Sequence, residues 1–259
     1  MTFTETALST WLAGFLWPLM RIGAMFAAAP VFGSRQIPMR WRAMLAVMIT
    51  WIVAPVLPPP PVVETFSHEA LLIALQQIAI GVLIGFILQM VFSALVFGGQ
   101  IVAYSMGLGF ASMMDPQNGV QVPVVSQYYL ILATLAFLLL NGHLILIEVV
   151  VDSFRTLPVA ADGLTRNGLW DIASWGGRIF AAGLLMALPA VTALLLVNLG
   201  MGIVARAAPQ LNIFAVGFPM AMLIGFLLMW VTLPDVMANF GELANEGFRL
   251  VMQQLLIGR

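Results

Sequence analysis

The sequence predicts an all-α, integral membrane-type protein. About six long apolar helices would be joined to a C-terminal amphipathic helix and interrupted by one irregular apolar loop. Three observations predict this. First, 62% of the residues are hydrophobic and only 8% charged, with a mean hydropathy of +1.04, whereas soluble domains carry roughly 25% charged residues. Second, the charge-free run from Ala70 to Met114 exceeds the ~20 residues one membrane crossing needs. Third, that run does not turn polar where its helical stretch should end. It passes into Met106-Gly107-Leu108-Gly109-Phe110-Ala111-Ser112-Met113-Met114-Asp115-Pro116, and irregular backbone that stays apolar survives at membrane depth only when buried in protein or lining a cavity.

The elements follow in order. Leu8 to Phe32 is the first apolar stretch, interrupted by Pro18, Arg21 and Pro30, and Gly33 to Arg42 is the most basic patch. Ala43 to Leu57 makes a short second span, stopped by Pro58 to Pro61, which lack backbone donors and form a stiff extended spacer. Glu64, His68 and Glu69 make the next connection acidic, and Ser67 is placed to cap the third helix. The third span covers roughly Leu71 to Phe97 and contains Gly81 and Gly85, the small-xxx-small spacing that lets two helices approach closely. Val124 to Val151 reads as a fourth span and Asp152 to Gly177 as an ordinary loop. Arg178 to Ala205 forms a fifth span kinked near Pro189, Arg206 to Asn212 a tight turn, and Ile213 to Leu233 a sixth span. In the tail, Asp235 to Ile257, apolar residues recur at Met237, Phe240, Leu243, Phe248, Val251 and Leu255. This is the spacing of an amphipathic helix lying on a surface or against a partner. Arg35, Arg40, Arg42 and Arg206 favour a cytoplasmic first loop, whereas Arg155, Arg166 and Arg249 oppose it.

Composition excludes several functions. A net charge of −1 argues against nucleic acid, which needs a basic face. Without cysteine there is no disulfide, thiolate metal site or cysteine nucleophile. No metal-ligand spacing, Ser/His/Asp set or phosphate-binding glycine motif is visible, and Gly107-x-Gly109 lacks the third glycine of a dinucleotide fingerprint. The chain therefore reads as no enzyme, with no cofactor. The N-terminus lacks the basic start and cleavage site of a signal peptide.

A few residues remain as candidates. Arg21 sits mid-span, either facing a protein interior or water, or snorkelling to the interface. His143, in an apolar run, reads mainly as a satisfied interhelical hydrogen bond. Glu148, Asp152 and Arg155 lie at helical spacing and read mainly as a locally paired helix end, with Arg155 able to neutralise Glu148. A small-molecule secondary transporter using Arg21, His143 and Glu148 is the rival function, although no inverted repeat is visible. The segment Met106 to Pro116 combines glycine, free in backbone conformation, with soft, unbranched methionine. It suits either a deformable plug or a buried loop that only packs.

Several motifs together resemble one family. Gly99 to Ala111 followed by Asp115-Pro116, Asn141-Gly142-His143-Leu144 with Phe154 to Pro158, and Gly202 to Phe214 are similar to the FliR family of flagellar export-gate proteins. Arg21-Ile22-Gly23, Ala29 to Gly33 and Ile37-Pro38 fit it as well. The injectisome counterpart, SctT, is similar more loosely. The resemblance implies a subunit of the type III secretion export gate in the bacterial inner membrane, within the flagellar basal body. It would assemble with FliP and FliQ homologues in a helical multi-subunit gate, with an FlhB homologue at the cytoplasmic entrance and unfolded flagellar proteins as cargo. It further implies a FliP-like part over about 1–175, a FliQ-like helical hairpin over about 176–259, and a pore plug at Met106, Gly107, Leu108, Gly109, Phe110, Ala111, Ser112, Met113, Met114, Asp115 and Pro116.

Overall fold

The computed structural model describes residues 5–34, 36–61, 63, 67–109, 123–161, 163–208, 210 and 213–256. Among these the regular structure is helical: α1 (Glu5–Ala28), α2 (Met39–Val53) with a 3₁₀ turn at Ala54–Val56, α3 (His68–Ser105), α4 (Val124–Leu139), α5 (Gly142–Thr156), α6 (Arg166–Trp175), α7 (Gly177–Ala207) and α8 (Ile213–Leu256). Among the described residues, five segments are long and apolar enough to cross a membrane, or six if the bent pair α4–α5 is one broken span.

Local chemistry accounts for the start of α3. The Ser67 hydroxyl accepts a bond of 3.1 Å from the Ala70 N–H, the N-cap geometry expected of it. Three departures from the sequence reading have physical reasons. The stretch from Val124 to Val151 is not one continuous helix: α4 and α5 meet at 66° where Asn141 adopts φ 57°, a left-handed conformation asparagine tolerates better than most residues. The supposed loop from Asp152 to Gly177 contains α6, started by Thr165, whose hydroxyl accepts the Gly168 N–H at 3.1 Å. Gly176, with helical φ −53° and ψ −27°, leads α6 into α7. Finally, the tail is not a separate helix. α8 runs 44 residues through Pro219 and Pro234, with Val236, Phe240, Leu243, Ala244, Phe248 and Val251 buried.

The chain divides into two compact units: 1–90 with 140–175 and 244–259, and 91–139 with 176–243. In the first, α3 lies directly on α1 at the predicted glycine pair. A Cβ on Gly81 would overlap the Arg21 carbonyl oxygen, and one on Gly85 would fall 2.6 Å from the Ala29 nitrogen and 2.8 Å from the Met25 oxygen. Trp17, Ala70 and Ile73 form a buried cluster there, with Met20, Ala74 and Val159 against it. In the second unit, Phe92 of α3 meets Phe137 of α4 edge-on at 5.7 Å and Phe240 of α8 at 5.2 Å, the T-shaped geometry aromatic rings prefer. The Ser126 hydroxyl donates to the Val96 carbonyl oxygen at 3.0 Å, tying α4 to α3.

Candidate functional site

The candidate plug begins where α3 stops, and α3 stops on a glycine. Gly107 has φ +83°. Its N–H donates to the Tyr104 carbonyl oxygen and the Leu108 N–H to that of Ala103, both at 3.0 Å. This pair of bonds closing over a left-handed glycine is the Schellman motif, which satisfies carbonyls a helix end leaves open. Neighbouring helices of the same unit fix this end. The Asn198 side-chain amide of α7 donates to the Ser105 carbonyl oxygen at 3.3 Å. A Cβ on Gly107 would come within 3.1–3.2 Å of the Phe218 ring of α8.

Met106 is fully buried, at 0% exposure. A Cβ on Gly225 of α8 would stand 2.6 Å from its Cγ, 2.7 Å from its Cε and 2.8 Å from its Sδ. The thioether therefore lies along bare helix backbone. Leu108 and Gly109 are half-buried, and a Cβ on Gly109 would meet the Tyr104 ring at 2.9 Å. The remaining candidates, Phe110, Ala111, Ser112, Met113, Met114, Asp115 and Pro116, lie outside the described residues. Of the residues that hold the segment's start, Gly225 and Asn198 were not singled out by the sequence. Asn198 did carry a signal, as a polar side chain inside an apolar span that needs a hydrogen-bond partner.

Arg21 faces the protein interior and does not snorkel. Its side chain is fully buried in the first unit. Nε donates to Gln77 Oε1 at 2.8 Å, Nη1 to Ser153 Oγ at 3.0 Å and Nη2 to the Leu157 carbonyl oxygen at 2.9 Å. The guanidinium stacks 4.0 Å from the Phe154 ring centroid. All four groups are uncharged, so one cation joins α1, α3 and α5 through directed bonds alone. Such fork geometry suits arginine and not lysine.

The other ionisable candidates do not join it. Glu148 is exposed on α5. Arg155 pairs with Asp152 at 3.8 Å, both exposed, not with Glu148 as expected. His143 does not make the anticipated hydrogen bond through Nδ1, which is buried without a partner among the described residues. No group of three His, Asp or Glu residues suited to a metal ion occurs among the described residues. Arg21, bonded to neutral groups, and exposed Glu148 thus do not make the paired midplane site that a transporter would need.

Residues 12–247 match the model of the bacterial export proteins, family 1. The chain belongs to that family. Within it, the chain is 41% identical over 242 residues to the flagellar biosynthetic protein FliR of Escherichia coli K12, covering 93% of this chain and 92% of the relative. It is 40% identical over 251 residues to FliR of Pectobacterium carotovorum, covering 97% and 96%. The FliR of Bacillus subtilis is 33% identical over 221 residues, covering 84% and 85%. The FliR-like motifs quoted from the sequence therefore belong to a likeness along almost the whole chain.

Proposed function

We propose that this bacterial export protein is the FliR-type subunit of a flagellar type III export gate in the inner membrane. It assembles with FliP and FliQ homologues, an FlhB homologue sits at its cytoplasmic entrance, and unfolded flagellar proteins pass axially through the shared pore. Residues up to about 175 act as the FliP-like part and residues from about 176 as the FliQ-like hairpin. Its contribution is gating without chemistry of its own. The segment Met106 to Pro116 plugs the resting pore.

The likeness to flagellar FliR proteins over nearly their full length carries the assembly reading. The plug reading is supported by a segment that stays apolar through Met114 after α3 has ended in a fixed glycine cap. An apolar segment leaving a helix in a membrane protein must be buried in protein or line a cavity.

Two measurements test this. Native mass spectrometry after co-expression with the FliP and FliQ homologues should give one copy of this chain in a larger complex, and a stable monomer or homodimer overturns the assembly reading. Deletion of Gly107 to Met114 should raise ion conductance of membranes holding an intact complex. Unchanged conductance there removes the plug.

A further inference from the structure

Two arginines stand at the start of α2, and the protein uses only one of them internally. Arg42 turns inward: Nε donates to the Ile37 carbonyl oxygen at 3.1 Å, and Nη2 to those of Ile37 and Ser34 at 2.9 and 3.2 Å. Arg40 is exposed and makes no hydrogen bond or ion pair among the described residues. Its neighbourhood in sequence offers no counter-charge, because no Asp or Glu occurs between Glu5 and Glu64.

The rest of the helix surface is apolar. α2 buries only Ala46 and Thr50, and its buried side faces α1, where a Cβ on Gly23 would stand 4.0 Å from the Ala46 Cβ. On the outer side Trp41, Met44, Val47, Met48, Trp51 and Ile52 are all exposed. Spacings of three and four put them on one face, with Arg40 one turn before Met44. The face therefore has a fixed order, a cation and an indole first and then apolar surface alone. From Arg40 to Ile52 it measures about 18 Å at 1.5 Å per residue, close to the ~15 Å hydrocarbon depth of one leaflet.

We propose that this face of α2 binds an anionic phospholipid, with the headgroup phosphate on the Arg40 guanidinium and the acyl chains along Met44 to Ile52. A guanidinium pairs with two phosphate oxygens at once. Its stem covers apolar surface while the charge stays at headgroup level, the depth indole rings also favour. A protein partner would have to bring an acidic group and an apolar face in that same order, whereas a phospholipid carries both in one molecule. A zwitterionic headgroup brings its own ammonium, so the site selects net negative charge. The inference rests on α2 lying in a membrane and not on the export-gate assembly.

The test puts a fluorophore beside Arg40 in this cysteine-free chain. Full-length Met44→Cys, labelled on its thiol, is purified after co-expression with the FliP and FliQ homologues, in whatever assembly it forms, and reconstituted in phosphatidylcholine vesicles. Phosphatidylglycerol or phosphatidylcholine, spin-labelled on the acyl chain near the headgroup, is added at equal mole fraction, and quenching is read. One arginine at a membrane surface favours anionic lipid about fivefold, so phosphatidylglycerol should quench with about that preference. Arg40→Gln should cut the preference to less than half, and Arg40→Lys should keep it. A label at Leu195→Cys, exposed on α7 and far in sequence from Arg178 and Arg206, should be quenched equally by both lipids. Equal quenching at Met44→Cys, or a preference that Arg40→Gln does not halve, overturns the headgroup site. Quenching by neither lipid means that protein covers this face, and overturns it too. Mass spectrometry of the same preparation reports the assembly separately, so failure of the gate reading and failure of this one are told apart.

Discussion

Replacing Arg21 with lysine keeps the charge and removes the fork, which makes it the sharpest test of the buried hub. Arginine makes three separately directed bonds, to Gln77, Ser153 and the Leu157 carbonyl, and stacks on Phe154. One ammonium on a flexible stem reaches at most one of these acceptors well and presents no flat face to the ring. Two lost charge-assisted bonds at about 1.5 kcal/mol each, with about 1 kcal/mol of cation–π contact, give a loss near 4 kcal/mol. Arg21→Met fills similar space and abolishes the cost of holding an uncompensated charge, while stranding Gln77 Oε1 and the Leu157 oxygen. Its loss should be smaller, about 2–3 kcal/mol. The assay is thermal dissociation of the purified complex, followed by size-exclusion chromatography after heating. If lysine matches wild type while methionine is strongly destabilised, charge alone matters and the geometric argument fails.

Gly85→Leu should separate α1 from α3, because its Cβ alone falls 2.6 Å from the Ala29 nitrogen; folded yield in membranes reports it, and wild-type yield would contradict the close crossing. Val31 adopts φ 68°, a conformation that costs a β-branched residue about 1–2 kcal/mol, so Val31→Asn should raise the thermal midpoint, and a lower midpoint would show the strain is absent. Phe110→Ala should loosen the seal partially in the conductance assay. If it seals like wild type while Met113→Ala leaks, the contact residue is the methionine.

Local signals were readable in the sequence, and contacts between distant residues were not. Ser67 announced the α3 cap and Gly81 with Gly85 announced a close crossing, because each needs only residues a few positions apart. The break at Asn141-Gly142 was legible in principle, since such a dipeptide marks a turn. The apolar residues on either side hid it. At Pro234 the signal misled: proline removes one intrahelical bond, yet α8 continues through it. The partners of Arg21 lie 56, 132 and 136 residues away. Nothing in the local pattern of Arg21 distinguishes a buried fork from a snorkelling side chain. The seat of Met106 on Gly225 is equally non-local. In the candidate site, therefore, the sequence marks out a segment, and the side chains that hold its start cannot be read from it.

The continuity of α8 carries a consequence for the membrane. Before Pro234 its exposed side chains are apolar: Val216, Met220, Leu223, Phe226, Leu227, Trp230 and Val231. After it the exposed positions turn polar, at Asp235, Asn239, Glu242, Asn245 and Arg249, while Val236, Phe240, Leu243 and Phe248 face inward. One helix thus presents an apolar surface and then a polar one, with Trp230 near the change, as indole rings favour a membrane interface. Cysteine substitutions in this cysteine-free chain locate the boundary. Asn239→Cys and Glu242→Cys should react with a membrane-impermeant maleimide from one side of sealed vesicles. Leu223→Cys and Leu227→Cys should react from neither side, whether lipid or another subunit covers them. Equal labelling at Leu227→Cys and Asn239→Cys would mean that the apolar face of α8 stands in water, and the membrane reading of this helix would fall with it.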